Sequence, residues 1–325
     1  MSSKLYIGVD IGGTSVKIAF IHDDGTILAK WEIPTRIENN GQYILTDIAS
    51  SINEHVSKYN LDKSKLVGCG VGAPGFVDSK EGFVYQAVNI GWKNFDLSNR
   101  LKALISIPVF VENDANLAAL GENWMGSGRQ SNDLMCVTLG TGVGAGIISN
   151  GVLISGANGT GGEIGHITVN ADGAPCNCGR NGCLETVASA TGIIRLAIEA
   201  LNRPEAGELK ARFEAKGELT AKDVFDAAKN QDQKALEIVE YVTKELGLSL
   251  SNLAIALNPE RIVIGGGVSK AGQFLLDGIE KWFNHFSLGR TKEAVKFVIA
   301  SLGNDAGVYG GAYLVKQNLK SKEIV

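Results

Sequence analysis

Three thiols fall within eight residues in Cys176-Asn177-Cys178-Gly179-Arg180-Asn181-Gly182-Cys183, and His166 lies ten residues before the first of them. Three thiolates and one imidazole make a closed tetrahedral zinc set, and Gly179 and Gly182 let so short a loop wrap an ion. The competing pattern is a disulfide, which would strand a third thiol and belongs to oxidising compartments. A closed set leaves no open coordination position, so zinc held by His166, Cys176, Cys178 and Cys183 would be structural. If one ring nitrogen of His166 binds the ion, the other is oriented towards a partner, joining the ion to a substrate pocket. Cys69 and Cys136 sit in apolar runs and read as packing residues.

Glu112-Asn113-Asp114 ends one apolar run and opens a helical pattern. An Asp or Asn at that point makes a helix N-cap. The functional alternative is a carboxylate at Asp114 that accepts a hydroxyl proton while the oxygen attacks phosphorus. The tripeptide alone leaves both open. Glu163 and His166 in Gly162-Glu163-Ile164-Gly165-His166, with Glu185 just beyond the thiols, offer hydrogen bonds that suit a polyol, although a polar turn also accounts for Glu163. His22, His55 and His285 have no such company and read as structural or surface residues.

Glycine makes up 41 of 325 residues, about 13% against a usual ~7%, and it clusters after β-rich runs. In Asp10-Ile11-Gly12-Gly13-Thr14 the freed N–H groups of a hairpin can cradle phosphate oxygens, with a hydroxyl from Thr14 and a positive charge from Lys17. Asp10 at the strand end can hold hydrated Mg²⁺. Thr141 and Gly142, in Leu139-Gly140-Thr141-Gly142-Val143-Gly144, repeat that chemistry, and Gly265-Gly266-Gly267 follows a third apolar strand. Each turn alone is equally well a structural hairpin. Together they describe a nucleotide gripped from two sides. No Gly-x-x-x-x-Gly-Lys-Ser/Thr occurs. Gly70-Val71-Gly72-Ala73-Pro74-Gly75 fits a dinucleotide pattern, but Pro74 precludes the helix that a pyrophosphate site needs, so it reads as a tight loop presenting backbone to a small substrate near Gly75.

The elements that must position these groups come in two similar series. Leu5 to Asp10, Val16 to Ile21 and Ile27 to Ile33 read as a meander of strands, followed by a helix over Tyr43 to Tyr59, strands Leu66 to Val71 and Val109 to Glu112, and a helix over Ala115 to Trp124. The series restarts with strands Leu134 to Leu139 and Ala145 to Ser149, a helix over Gln233 to Ala256, strand Arg261 to Ile264, a helix from Gln273, strand Val295 to Ala300 and a helix from about Asp305. A chain of 325 residues outgrows a single core, so two α/β halves with a cleft between them are expected. A net charge of -4 attracts neither nucleic acid nor an anionic membrane surface, and no run is apolar and long enough for a membrane span or a secretory signal. Cytoplasmic residence is the expectation.

These motifs resemble the ROK family (repressors, open reading frames and kinases), most closely its bacterial glucose-phosphorylating members: Gly-Val-Asp-Ile-Gly-Gly-Thr at the start, Glu-Asn-Asp-Ala-Asn at 112–116, Gly-Glu-Ile-Gly-His at 162–166 and Cys-Asn-Cys-Gly-Arg-Asn-Gly-Cys-Leu-Glu at 176–185. The resemblance implies the actin-like, hexokinase-like α/β fold, in which two ribonuclease-H-like lobes close on Mg·ATP and sugar. Residues 1–115 would form the smaller lobe and 116–304 the larger, with a helix from about 305 to 325 packing back on the first. The implied activity is ATP-dependent phosphorylation of the glucose 6-hydroxyl, feeding glycolysis. Asp114 would be the base, and Asn113, Glu163, His166 and Glu185 would bind sugar, with Gly75 close by. A homodimer or homotetramer is implied in the same way. Fructose, mannose, N-acetylmannosamine and N-acetylglucosamine are alternative acceptors. A sugar-sensing regulator is the alternative from another class, and the first phosphate turn at Ile7 leaves no room before it for the expected DNA-binding domain.

Overall fold

A computed structural model describes residues 4–201 and 207–323, so the last two residues of the expected terminal helix lie outside the described residues. Strands β1 (Leu5–Ile11), β2 (Ser15–His22) and β3 (Ile27–Pro34) form the antiparallel meander. The strands β4 (Leu66–Ala73) and β8 (Val109–Asn113) extend it in parallel, giving the order β3-β2-β1-β4-β8. β1 is almost wholly buried because it is an inner strand covered on both faces. Between β4 and β8 stands a small antiparallel sheet of β5 (Phe76–Asp78), β6 (Phe83–Ala87) and β7 (Trp92–Asp96), which the residue pattern did not announce.

The second sheet repeats the first. β9 (Leu134–Leu139), β10 (Val143–Ser149) and β11 (Val152–Leu153) form a meander, extended by β12 (Arg261–Gly265) and β13 (Lys296–Ile299) in the order β11-β10-β9-β12-β13. Its core takes in the helix Gln233–Leu257, started by the Asp232 cap on Ala235 N–H, and the helix Gln273–Phe286. Helices also occupy Leu97–Ile105, Ala190–Ala200, Gly207–Lys216 and Ala221–Lys229, where sequence periodicity suggested nothing. The last of these carries a capping box between Thr220 and Asp223, a local signal that would have revealed it.

The terminal helix Ala306–Glu323 leaves the second sheet and lies on β1, β4 and the helix Asp114–Met125. Glycines allow backbone to meet backbone there. A Cβ on Gly8 would stand 1.9 Å from Val308 O, one on Gly70 1.9 Å from Gly311 O, and one on Gly310 1.9 Å from Leu117 O. Cys69 and Cys136 are buried in their sheets, and burial pushes both thiols well above their ordinary pKa. His55 stacks on Trp31 at 3.8 Å, and His285 packs against Trp282 and Phe286. Among the described residues no helix is long and apolar enough to cross a membrane.

Candidate active site

The cap ambiguity at residues 113 and 114 resolves in favour of Asn113. Its Oδ1 accepts from Ala115 N–H at 2.9 Å and Asn116 N–H at 3.3 Å, while its Nδ2 donates to Gly75 O at 3.1 Å. Asp114, the first helical residue, is spared the capping role and contributes only a 2.8 Å contact to Ala115 N–H. Gly75 itself sits at φ +85°, and a Cβ there would meet Gln86 O at 2.0 Å, so the chain turns into β5 rather than into a helix. The dinucleotide pattern is thereby excluded as a pyrophosphate site.

Asp114 lies where two cavities join. One, of about 210 Å³, is lined by Gly75, Phe76, Asn113, Asn116, Gly162, Glu163 and His166. The other is a cleft of about 470 Å³ lined by Asp10, Lys17, Asn89, Thr141, Gly142, Glu185, Gly266, Asn304 and Gly307. Asp114, Glu163 and His166 belong to both walls. Asp114 is exposed to the cleft, yet its carboxylate sits deep among the protein atoms of the two cavity walls. That burial, with the negative charges of Asp10 and Glu163, raises its pKa to about 6. Burial likewise raises Asp10, against the opposing charge of Lys17, and raises Glu163. Both aspartates lie beside Gly72: a Cβ there would be 3.6 Å from Asp10 Oδ1 and 3.7 Å from Asp114 Cα.

Glu185 does something the sequence did not reveal. Its Oε2 accepts Val143 N–H at 3.0 Å, and a Cβ on Gly142 would stand 2.3 Å from that oxygen. The residue after the thiol loop therefore shapes the Gly140–Gly142 turn as well as lining the cleft. Ala190 N–H to Gly140 O and Thr191 Oγ1 to Thr141 O, each 2.8 Å, hold the same turn. Gly266, at φ +82°, presses on Leu139 at the end of β9 and lines the cleft, while Gly265 and Gly267 line an adjoining cavity of about 290 Å³. Gly12, Gly13 and Thr14 are not brought into the wall. They form the rim, where a Cβ on Gly13 would lie 3.9 Å from Asn89 Cβ.

His166, Cys176, Cys178 and Cys183 each bring one donor atom to a cluster whose atoms all lie within 4.8 Å of one another. Cys176 Sγ is 3.6 Å from His166 Nδ1, and Cys178 Sγ is 3.6 Å from Cys183 Sγ. A tetrahedron of thiolates about 2.3 Å from a metal has edges of about 3.8 Å, so the four residues fit one ion. The thiols stand apart as free cysteines, with Cys178 and Cys183 at a separation that suits ligands of one ion and is well beyond an S–S bond. The Arg180 N–H beside Cys178 lowers that thiol to about 6. With Nδ1 turned to the thiols, His166 Nε2 faces Glu163 Oε2 at 3.9 Å, so one imidazole touches both the cluster and the cavity.

Two buried carboxylates on the elements around the site escaped the sequence reading. Glu112 accepts from Asn113 N–H at 2.8 Å, Asn116 Nδ2 at 2.9 Å and Ser155 Oγ at 3.3 Å, and Glu122 holds the segment after β13. Asn304 and Gly307 were missed as well. The signal was available, since Gly303-Asn304-Asp305 lies just past β13 as Asn113-Asp114 lies at the end of β8.

The ROK family profile matches residues 6–318. The chain belongs to the ROK family. Over 99% of its length it is 52% identical to a glucokinase of Halalkalibacterium halodurans, covering 98% of that protein. The structure of a ROK family glucokinase from Streptomyces griseus, in complex with glucose and AMPPNP, superposes with a TM-score of 0.78 at 34% identity, covering 96% of this chain and 99% of that one. The ROK hexokinase of Thermus thermophilus gives a TM-score of 0.84 at 28% identity, with 98% and 99% covered. The repeated sheets are therefore those of the actin-like, hexokinase-like fold, and the chain is an ATP-dependent hexose kinase.

Proposed function

We propose that this protein is a glucokinase whose Asp114 takes the proton of the glucose 6-hydroxyl as that oxygen attacks the γ-phosphorus of ATP. The carrying observation is that Asp114 is shared by the small polar cavity and the long glycine-walled cleft, because the acceptor hydroxyl and the γ-phosphoryl group must meet beside the base. Two of the similar proteins are glucokinases, and one of them holds glucose with AMPPNP.

In this reading glucose occupies the smaller cavity against Gly75, Asn113, Glu163 and His166, and Glu185 contributes from the cleft side. The triphosphate lies along Thr141, Gly142 and Gly265–Gly267, with Lys17 opposite. Closure of the lobes brings the Gly12, Gly13 and Thr14 rim onto it. Asp10 would hold Mg²⁺ through water, and the ion would neutralise the phosphate charge. The O6–H proton passes to the Asp114 carboxylate, an O6–P bond forms, and the bond to ADP breaks. His166, Cys176, Cys178 and Cys183 would hold zinc, and the ion would fix the ring that faces Glu163. The lobes divide as 1–115 and 116–304, with the terminal helix on the smaller one. Cytoplasmic residence, a homodimer or homotetramer and no dealings with nucleic acid complete the reading.

A coupled ADP-release assay across a hexose panel tests it, with fastest turnover expected on glucose and none without ATP. Faster turnover on an N-acetylated hexosamine or on fructose would reassign the substrate.

A further inference from the structure

Glu122 lies in the third turn of the helix that begins at Asp114, is 1% exposed and does not line the smaller cavity around Asn113 and Glu163. Glu122 Oε1 accepts Leu302 N–H at 2.7 Å, and Oε2 accepts Ser127 N–H at 2.9 Å and Ser301 N–H at 3.1 Å. A carboxylate accepts at both oxygens and donates nothing, so three converging N–H groups select Glu over Gln. Ser127 Oγ adds a 2.7 Å bond to Ile299 O at the end of β13. The segment thus fixed runs straight into Gly303 and Asn304, which line both the cleft and the cavity around Gly265–Gly267.

We infer that Glu122 is a positioning residue for the nucleotide: it ties the helix that carries the base to the 301–304 turn that walls the ATP cleft. One rigid helix then places Asp114 at its start and the nucleotide wall about 12 Å further along, at eight residues of 1.5 Å each. The inference rests on the placement of ATP proposed above. Its consequence is selective. Disturbing Glu122 moves the nucleotide wall while Asn113, Glu163 and His166, which face the sugar, keep their own partners.

The test is Glu122→Gln, which preserves volume and one accepting oxygen but turns an NH₂ towards an N–H. KM for ATP and the Kd of AMPPNP, by calorimetry, should each rise about tenfold, with the Kd of glucose changed less than twofold. Glu122→Ala should enlarge the nucleotide effect in the same direction, and melting temperature is followed for both. Equal weakening of glucose and nucleotide, or a lower melting temperature with an unchanged KM for ATP, would make Glu122 merely structural and overturn the inference. Thr141→Ala is the control for the placement itself. If it raises KM for ATP and Glu122→Gln does not, only this inference fails; if neither does, the cleft does not hold ATP and both fail.

Discussion

The two sheets share one strand order and opposite chemistries. In the first, the second residue pair from the β1–β2 turn is Asp10 with Lys17, while in the second the pair at the same distance from the β9–β10 turn is Thr138 with Gly144. The last strand of the first sheet leads into Asp114 at the cleft, with Asn113 on the smaller cavity; that of the second leads to Gly303 and Asn304, and the neighbouring Asp305 bonds outward to Lys30 at 2.7 Å. At these strand ends the first half therefore supplies charge and the second mostly backbone and amide groups, while the charged groups that the second half brings to the cleft, Glu163 and Glu185, come from its loops and not from its sheet. The difference suits phosphoryl transfer, because a triphosphate bound by backbone N–H groups on one side can be met by ionised groups on the other. It also shows how a repeated fold acquires chemistry at a few strand ends without altering its core.

The largest break in that asymmetry is Asp114→Asn. General bases contribute about 10²–10⁴-fold, so kcat should fall by that order while the Kd of glucose, by calorimetry, stays within a few-fold. Near-normal kcat would move the base elsewhere. Next comes Cys183→Ser, or chelation in mild denaturant. Removal of the ion should lower the melting temperature by at least about 5 °C and weaken glucose in step, since His166 joins the cluster to the cavity. Equal melting curves for metal-free and metal-loaded protein would detach the thiol loop from the fold. Thr141→Ala, in the glycine turn of the second sheet, should raise KM for ATP only a few-fold, because backbone N–H groups supply most of the grip there.

The repeat was legible because a meander, a glycine turn and a later parallel strand recur as local patterns in each half. The thiol set was legible because its spacing is short and its donors are of two unusual types. What sequence left open was decided at long range. Neither Asn113 nor Asp114 is the better cap by type, and the deciding contact is Asn113 Nδ2 to Gly75 O, 38 residues away. Glu185 next to the thiols gives no hint that its carboxylate supports Val143 N–H. The small sheet was invisible because β5 is three residues long, too short for an alternation to register. The close seat of the terminal helix depends on Gly8 meeting Val308 and Gly70 meeting Gly311, pairings that only the folded chain brings together.

The smallest expected effect is the most diagnostic of how charge is shared within the first half. Asp114 has a pKa raised to about 6, first by burial and then by Asp10 and Glu163. Only its ionised form accepts the hydroxyl proton, so kcat/KM should be nearly full at pH 7, half as large near pH 6 and tenfold lower per unit further down. The sign follows from the raised value: a carboxylate with its ordinary pKa would keep the enzyme active to about pH 4. Asp10→Asn removes a neighbouring negative charge, so the acid limb should shift to lower pH even though Mg·ATP turnover is weaker overall. An acid limb unmoved by Asp10→Asn, measured as kcat/KM for glucose from pH 5 to 8, would mean that the two aspartates do not sense each other across Gly72. A limb that moved upward would assign it to a different group.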